Sequence, residues 1–395
     1  NNGPEPVIPT GEARVSGTLP VLYIETEGHL AITSKKEYVN ASYRLVTTAA
    51  DSYEDIGSEE SPLPMQIRGR GHSSWKSPKK PYKIKLGKKT EIMGMAASKH
   101  WALIKPAESN AAGYYMAKLA GMAWAPDLRP VEVVLNGDYI GLYFLTETVR
   151  IDKNRVDIYE QEDGETDPDL IQGGWLVEVD NYIDECQINI PENSMWNMTV
   201  KYHSPENLSY QQKQWLKDEF TAMNAAVYNP DKTSTDWEKY IDVAAMARYF
   251  IIQEVMDNPD GFHGSFYLHK DLGDGAKWVA GPVWDLVCYN RQKTDYTFEM
   301  TVHYNFIPHW IGEIICYENF CAAVREQWRA IYPGQLNKVF GYIDSVVLPL
   351  EAAWRNDCAR WNDDPSQTAS LRAERLKTSL RNNMEWFDAH LPVAR

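Results

Sequence analysis

The sequence predicts an α+β fold with a β-rich N-terminal lobe and an α-rich C-terminal lobe that carries an inserted hairpin. Strand-like runs of β-branched and aromatic residues dominate residues 19–135, whereas apolar residues recur at helical spacing after residue 209. A third observation is a pair of short strand patterns at 265–270 and 277–280, separated by a Gly- and Asp-rich turn. These patterns place most strands before most helices, which is typical of the α+β class.

The N-terminal lobe begins with three strand patterns. Residues 21–24, 41–46 and 82–86 mix β-branched and aromatic side chains and are separated by turn-forming residues. Polar and apolar residues alternate strictly over 82–86. Since side chains of a strand point alternately to its two faces, Lys83 and Lys85 are expected to share one face.

A helix and a hairpin complete this lobe. Residues 111–123 are rich in Ala, Met and Leu and are followed by Pro, which predicts a helix that ends there. Residues 131–135 and 139–145 are two strand patterns on either side of Asn136-Gly137. Because Asn-Gly supplies the positive φ angles of a tight turn, this arrangement predicts a β-hairpin.

The C-terminal lobe is predicted to be mainly helical after one more strand at 174–180. Ser209 and Gln212 have the spacing of a capping box, in which each side chain accepts a hydrogen bond from the other residue's backbone N–H. Apolar stripes at helical spacing then begin at Leu216, Ile241, Leu336 and Leu376. We interpret these stripes as core faces and assign them no function.

Three segments follow from these patterns: a flexible lead at 1–18, a β-rich lobe with one helix at 19–150, and a mainly helical lobe at 151–395. The lead is polar and Pro-rich, which is typical of a tether. The chain of 395 residues is 44% hydrophobic, enough for two packed lobes. No apolar run reaches the roughly 18–20 residues of a membrane span, so no transmembrane segment is expected.

Composition argues against a nucleic-acid partner, because a net charge of −15 repels phosphates. Basic residues nevertheless cluster between Arg68 and Lys89. This cluster is interpreted either as a site for an anion such as a nucleotide phosphate or as a solvated hairpin. The five cysteines show no C-x-x-C spacing, so a zinc or thioredoxin-type site has no support.

The residues needed for phosphoryl transfer occur in a suggestive order. This chemistry requires cations on the phosphates, one carboxylate that orients the acceptor hydroxyl, and another that holds the metal. Lys83 or Lys85 lies on a strand, Asp260 lies between a helix and a strand, and Asp285 follows the inserted hairpin. Kinases use the same order of Asp, hairpin and Asp. The alternatives are an ordinary turn at Asp260 and a buried, paired Asp285.

Several segments resemble the CotH (spore coat protein H) kinase family, in a subtype similar to those of gut Bacteroidetes. Residues 67–75, Ile-Arg-Gly-Arg-Gly-His-Ser-Ser-Trp, followed by Lys-Lys-Pro-Tyr-Lys-Ile-Lys-Leu at 79–86, are similar to the family pattern I-R-G-R-G-N-S-S-W…K-K-P-Y-K-I-K-F. Residues 135–147 resemble the central hairpin of the family. Asn-Pro-Asp-Gly at 258–261 and Gly-Pro-Val-Trp-Asp at 281–285 resemble its two acidic loops.

The resemblance implies a bilobal protein-kinase-like fold of an atypical kind and a Ser/Thr protein kinase that uses ATP with Mg²⁺ or Mn²⁺. It implies that Asp260 is the catalytic residue and that Asp285 and Ser265 bind the metal. The residues that it implies at the nucleotide phosphates are Arg68, Arg70, Lys83 and Lys85. The partners would be a nucleotide and a surface protein that the sequence does not identify. The location would be secreted, periplasmic or on the cell surface, as a lipoprotein anchored through a removed N-terminal segment.

Several positions depart from this pattern. His72 replaces the family Asn, and Ser265 stands where kinases place a metal-binding Asn. Val287 stands where many members carry a second acid, and the helix at 111–123 has no Glu for the strand lysine, since Glu108 precedes it. Two alternatives therefore stay open. One is a catalytically impaired pseudokinase acting as a surface binding or scaffold protein, and the other, prompted by 14 Trp residues, is a glycan-associated surface protein.

Overall fold

The structure is a computed structural model that describes residues 14–180, 187–190, 198–291, 295–302 and 310–395. The chain divides into two compact units. The barrel unit comprises the described residues of Asn1–Ala111, Asp127–Thr148 and Gly341–Arg375. The helix–sheet unit comprises those of Ala112–Pro126, Val149–Phe340 and Leu376–Arg395. Each unit is therefore assembled from separate stretches of the chain.

A closed β-barrel forms the barrel unit, with strand order β1-β2-β3-β4-β5-β7-β6. The strands are β1 (Val21–Thr26), β2 (Val39–Val46), β3 (Leu63–Gly69), β4 (Tyr82–Ile92), β5 (Met95–Ile104), β6 (Leu128–Leu135) and β7 (Asp138–Glu147). Neighbouring strands are antiparallel except for β1 and β6, which pair in parallel from Val21 opposite Glu132 to Ile24 opposite Leu135. This parallel pair closes the barrel.

Alternating side chains fill the barrel. On β4, Tyr82, Ile84 and Leu86 are buried, Lys83 is half-buried and Lys85 is exposed. The prediction that both lysines share one face of this strand is therefore confirmed, and that face is the outer one. The buried side chains from all seven strands, among them Trp101 of β5, form one apolar cluster, so the barrel interior is a packed core as in other small barrels.

A helix near the C-terminal end of the sequence, α8 (Glu351–Trp361), packs on β7 of the barrel. Asp357 of this helix is buried, and its Oδ1 accepts from the Leu142 backbone N–H at 2.8 Å and from Lys79 Nζ at 2.5 Å. Gly141 has a φ of 103°, and a Cβ there would lie 1.9 Å from Asp357 Oδ1. The close approach of helix and strand therefore requires glycine at this position.

The helix–sheet unit contains a five-stranded sheet of order β12-β11-β8-β10-β9. Its strands are β8 (Trp175–Val179), β9 (Gln187–Ile190), β10 (Met198–Ser204), β11 (Phe266–Lys270) and β12 (Val279–Ala280). The inserted hairpin is confirmed, since β11 and β12 pair in antiparallel fashion. It is not isolated, however, because β11 also pairs with β8.

The remaining helices are α1 (Glu108–Leu119), α2 (Tyr210–Val227), α3 (Val243–Met256), α4 (Thr297–Val302), α5 (Ile311–Ile314), α6 (Glu318–Ile331), α7 (Lys338–Val347) and α9 (Ala369–Ala389). The capping box of α2 is confirmed, with Ser209 Oγ accepting from Gln212 N at 3.0 Å and Gln212 Oε1 accepting from Ser209 N at 2.8 Å. None of the helices formed by the described residues combines the length and apolar character needed to cross a bilayer.

The predicted fold class is wrong. A closed seven-stranded barrel and a separate sheet with its helices replace the expected bilobal protein-kinase-like arrangement with one inserted hairpin. Local patterns could not show the parallel pairing of β1 with β6, because the paired residues lie more than a hundred positions apart. Nor could they show that residues 341–375, which look like part of a helical tail, belong to the barrel unit.

Candidate functional site

The turn that carries Asp260 begins at the C-terminal end of α3. The helix ends at Asp257, which adopts a left-handed conformation with a φ of 50°. Tyr249 of α3 donates a hydrogen bond from its hydroxyl to the Gly261 carbonyl at 2.5 Å, and Asn258 Nδ2 donates to Gln253 Oε1 at 2.7 Å. These bonds fix the backbone of the turn to the helix before it.

Asp260 itself points away from this packed region. Its side chain is 66% exposed, and Oδ1 lies 3.5 Å from Nε2 of the buried His263. An exposed carboxylate with one weak contact is able to accept a proton or a hydrogen bond from a ligand. The geometry of the turn is therefore compatible with the predicted role of Asp260, which the structure does not test.

Ser265 and Asp285 share a conformation that is uncommon outside glycine. Their φ angles are 51° and 54°. Asp285 is exposed although Val283 before it is buried, and Ser265 is half-buried at the start of β11. Left-handed backbone at a residue with a Cβ costs roughly 1–3 kcal/mol and is concentrated at functional sites. The left-handed backbone at both positions is compatible with their predicted role as metal ligands.

The segment that follows Asp285 is bonded to the same end of α3. The Tyr289 backbone N–H donates to the Met256 carbonyl at 3.1 Å. Asn383 of α9 donates from Nδ2 both to the Val255 carbonyl at 2.9 Å and to the Tyr289 carbonyl at 2.7 Å. The chain segments bearing Asp260 and Asp285 are therefore brought together at one helix end within the helix–sheet unit.

Arg291 completes this attachment. Its Nη2 donates to Glu254 Oε2 at 2.8 Å and to the Glu254 carbonyl at 2.9 Å, and its guanidinium lies 4.0 Å from the centre of the Trp386 ring. Glu254 also accepts from the Thr297 backbone N–H at 2.9 Å. Burial raises the pKa of Glu254 and Arg291 opposes that shift, so this carboxylate depends on its partners to stay ionised.

A metal at Asp285 and Ser265 would need ligands from the nucleotide. Among the residues that the structure describes, no group of three or more His, Cys, Asp or Glu side chains is arranged to hold a metal ion. Mg²⁺ in nucleotide-dependent enzymes usually binds one or two carboxylates, phosphate oxygens and water. The donor set of one exposed carboxylate and one hydroxyl therefore fits Mg²⁺ held with a nucleotide and does not fit a metal cage made by protein alone.

The predicted phosphate-binding cations lie on the outer face of the barrel unit. Arg68 of β3 is directly opposite Lys83 of β4, and Lys85 is two residues further along β4, opposite Gln66. Arg70 follows β3, and its backbone N–H donates to the Pro81 carbonyl at 3.2 Å. Arg68 and Lys83 thus place two positive charges side by side on one face of neighbouring strands, where an anion can contact both.

The loop between β3 and β4 is tightly built. A Cβ at Gly69 would lie 2.4 Å from the Trp75 ring, and one at Gly71, with a φ of 83°, would lie 2.2 Å from Ser74 Oγ. Lys80 donates from Nζ to the Trp75 carbonyl at 2.6 Å. Gly69 is therefore needed for close packing on Trp75 and Gly71 for close packing on Ser74, while His72, which departs from the family pattern, is exposed.

The structure thus groups the predicted residues into two sets. Asp260, Ser265 and Asp285 belong to the helix–sheet unit, and the four cations belong to the barrel unit.

Sequence reasoning missed Arg291 and Asn383, whose partners are distant in sequence, and no local motif marks them. Lys79 and Glu108 also have unexpected positions, since Lys79 is buried with Asp357, and Glu108 begins α1 and pairs with Arg372.

Comparison with known proteins identifies the family. No curated protein shows significant similarity to the chain. A family model described as "CotH kinase protein" matches residues 67–387. This span covers most of the chain and contains every residue predicted above to bind nucleotide, metal or acceptor. The chain belongs to the CotH kinase protein family.

Proposed function

We propose that this chain binds ATP together with Mg²⁺ or Mn²⁺ and transfers a phosphoryl group to a Ser or Thr hydroxyl of another protein. The family membership supports this function. The observation that carries it for these particular residues is the attachment of the Asp260 turn and the Asp285 segment to one end of α3. Rigidly held acids are what phosphoryl transfer requires, because its catalysis depends mainly on positioning and charge.

In this proposal, Asp260 orients the acceptor hydroxyl and accepts its proton. Its exposure of 66% leaves it accessible to a protein substrate. Asp285 and Ser265 hold the divalent metal, which when bound neutralises charge on the transferring phosphate. A Ser hydroxyl is a weak ligand for Mg²⁺, so Asp285 carries the larger share of the affinity.

The barrel unit contributes cations to the proposal. Arg68, Arg70, Lys83 and Lys85 bind phosphate oxygens of the nucleotide, and the opposed pair of Arg68 and Lys83 supports this role. Arg68 Nε is buried without a hydrogen-bond partner among the residues described, which leaves one donor for an added acceptor. The acceptor protein is proposed to lie at the cell surface, the location that the sequence resemblance implies.

The proposed roles of Asp260 and Asp285 are tested by transfer of the terminal phosphate of radiolabelled ATP to a Ser-rich protein. We expect transfer by the wild type with Mn²⁺ and a loss of roughly 10²-fold or more in Asp260→Asn and Asp285→Asn, the scale of a positioned acid–base group. Asp274→Asn is the matched control, since Asp274 is exposed in the β11–β12 turn of the same unit. Equal loss in the control, or no loss in either variant, contradicts the assignment of the acids.

Nucleotide binding by the lysines of the barrel unit is tested separately, by the thermal stabilisation that ATP with Mn²⁺ produces. We expect the melting temperature of the wild type to rise with ATP, and the rise to shrink in the double variant Lys83→Ala/Lys85→Ala. Lys88→Ala serves as the control because Lys88 is exposed further along the same strand. Absence of any stabilisation of the wild type at millimolar ATP contradicts nucleotide binding by this chain.

A further inference from the structure

A histidine on the sheet of the helix–sheet unit is held by a buried carboxylate. Nε2 of His203, on β10, lies 2.7 Å from Oε2 of Glu178, on β8. The Glu178 side chain is 9% exposed, whereas that of His203 is 38% exposed. Lys201, directly opposite Glu178, bonds Asp180 at 2.8 Å. His203 is therefore the side chain that pairs with this buried acid.

The backbone aims His203 in a specific direction. The register of β10 against β8 passes from Tyr202 opposite Val177 to Ser204 opposite Leu176. His203 is thus the extra residue of a β-bulge, and bulges redirect a side chain and are frequent next to active sites. The Tyr267 ring of β11, which lies on the far side of β8, contacts the imidazole with its centroid 5.3 Å from that of His203.

The hydrogen bond also determines the tautomer. In the neutral imidazole, the ionised Glu178 carboxylate, which only accepts hydrogen bonds, keeps the proton on Nε2 of His203 and leaves the lone pair on Nδ1. No described residue lies within hydrogen-bond distance of Nδ1, and this atom is not sealed in the interior. The imidazole therefore presents a nucleophilic nitrogen to solvent while its other nitrogen is held by Glu178.

The same face of the sheet lies beside the Asp285 segment. Trp284, immediately before Asp285, packs against the cluster of Ile151, Leu176 and Tyr267. Tyr267 also contacts the His203 ring, and its carbonyl accepts from the Gly281 backbone N–H at 2.9 Å. Tyr267 therefore contacts His203 and is also bonded to the segment that leads to Asp285, within one unit.

We propose that His203 is a phosphoryl-accepting histidine. Nδ1 attacks the terminal phosphorus of a nucleoside triphosphate and forms an N–P bond. The bond from that phosphorus to the bridging oxygen breaks, and the nucleoside diphosphate leaves with its electron pair. The ring gains a positive charge, its proton stays on Nε2, and the Glu178 carboxylate offsets the charge. The inference rests on the proposed function for its phosphoryl donor.

The reactivity of the imidazole is tested first without ATP. Phosphoramidate, a small P–N donor, phosphorylates accessible imidazoles without an enzyme, and peptide mass spectrometry locates the acid-labile product. We expect His203 to react faster than the other histidines and the label at this position to vanish in His203→Gln. Glu178→Gln should slow the reaction roughly tenfold, the low end of the loss when a carboxylate that orients a histidine is removed.

A surface pair provides the matched control. His29 Nε2 lies 3.0 Å from Glu25 Oε2, with side chains 70% and 49% exposed. Because this pair is solvated, Glu25→Gln should leave the labelling rate of His29 unchanged. If His203 reacts no faster than His29, or if Glu178→Gln has no effect while circular dichroism shows a folded protein, the inference is wrong.

ATP is the second donor, and it separates the inference from the proposed function. The wild type is incubated with ATP and Mn²⁺. If His203 then carries an acid-labile, alkali-stable phosphate that is absent from Asp285→Asn, the result supports both the inference and the proposed function. Transfer to Ser or Thr with no label on His203 leaves the proposed function standing and overturns the inference. If ATP labels no residue and does not stabilise the protein, the proposed function fails. The inference then fails with it, since its donor is lost.

Discussion

A buried ion pair joins the barrel to the helix that packs on it. Lys79 Nζ lies 2.5 Å from Asp357 Oδ1, and both side chains are almost fully buried. Lys79 also donates to the Leu142 carbonyl at 2.5 Å, so each charge has further hydrogen-bond partners. Burial lowers the pKa of Lys79 and raises that of Asp357, whereas each partner opposes the shift of the other. The pair is therefore sensitive to the loss of either member.

The first prediction concerns this pair. Lys79→Met leaves the Asp357 carboxylate buried without its cation, and we expect it to destabilise the protein by about 3–5 kcal/mol in urea unfolding. The double variant Lys79→Met/Asp357→Leu should recover part of this loss, because no uncompensated charge remains. Lys239→Met, which breaks the exposed pair with Asp236, is the control and should leave the unfolding curve unchanged. Equal curves for Lys79→Met and wild type would contradict this account.

The second prediction concerns pH. His269 is buried, and its Nδ1 donates to the Gly281 carbonyl at 3.0 Å, since that acceptor requires a protonated Nδ1. Burial lowers the pKa of His269 below its usual 6.5. Below that value the unfolded chain binds a proton that the folded chain does not, so stability must fall as pH falls.

Thermal unfolding between about pH 7 and about pH 5 measures this effect. We expect the melting temperature of the wild type to decrease more steeply towards acid than that of His269→Asn, whose amide keeps a donor without the titration. His390→Asn is the control, because His390 is exposed directly after α9 and bonds the Trp386 carbonyl. A steeper decrease in His269→Asn than in the wild type would reverse the sign and contradict the assignment.

At the scale of elements, the end of α3 organises the predicted acids. Its last residues bind Tyr289, Arg291 and Asn383, while the turn beyond it carries Asp260. The apolar stripe of the sequence predicted the helix, and the loop sequences predicted Asp260 and Asp285 as candidate functional residues. The sequence could not predict the attachment, because Asn383 lies more than a hundred residues after the helix and Asn is common on helix surfaces. The start of α1 was also missed, since Glu108 lies inside the helix and not before it.

The third prediction concerns this attachment. Asn383→Ala removes three hydrogen bonds, two to the Val255 and Tyr289 carbonyls and one from the Arg291 backbone N–H, each worth about 0.5–1.5 kcal/mol net, and should loosen the segment after Asp285. We expect faster amide hydrogen exchange in residues 285–291 and a lower rate of phosphoryl transfer. Thr378→Ala, at an exposed position of the same helix, is the control. Unchanged exchange in Asn383→Ala would contradict the proposed role of the contact.

At the scale of the whole molecule, each unit is built from several separate stretches of the chain. Alternation of polar and apolar residues predicted that Lys83 and Lys85 share one face of a strand. Barrel closure was not predictable, because register between β1 and β6 is determined by side chains far apart in sequence. The sequence likewise predicted Asp260 and Asp285 as candidates but neither the left-handed conformation of Asp285 nor the His203–Glu178 pair, which depends on a β-bulge.

The fourth prediction concerns the discontinuous barrel unit. Truncation after Phe340 keeps all seven barrel strands but removes α8, and with it the only described acid that bonds Lys79. We expect the barrel strands of this truncated protein to lose slow hydrogen exchange, although their own sequence is intact. Truncation after Pro392, which leaves α8 and α9 in place, is the control. Retention of slow exchange in the barrel strands after removal of residues 341–395 would contradict a structural role for this segment.

The parallel seam between β1 and β6 has a consequence for biosynthesis. A ribosome releases β1 long before β6, so the first strand emerges with one hydrogen-bonding edge that has no partner yet. Even after the seam forms, the carboxylate that neutralises Lys79 is still to be translated, because Asp357 lies more than two hundred residues after β6. The nascent protein therefore passes through a long interval in which its edges are open to wrong pairing, and chaperones that shield such edges should increase its yield in cells.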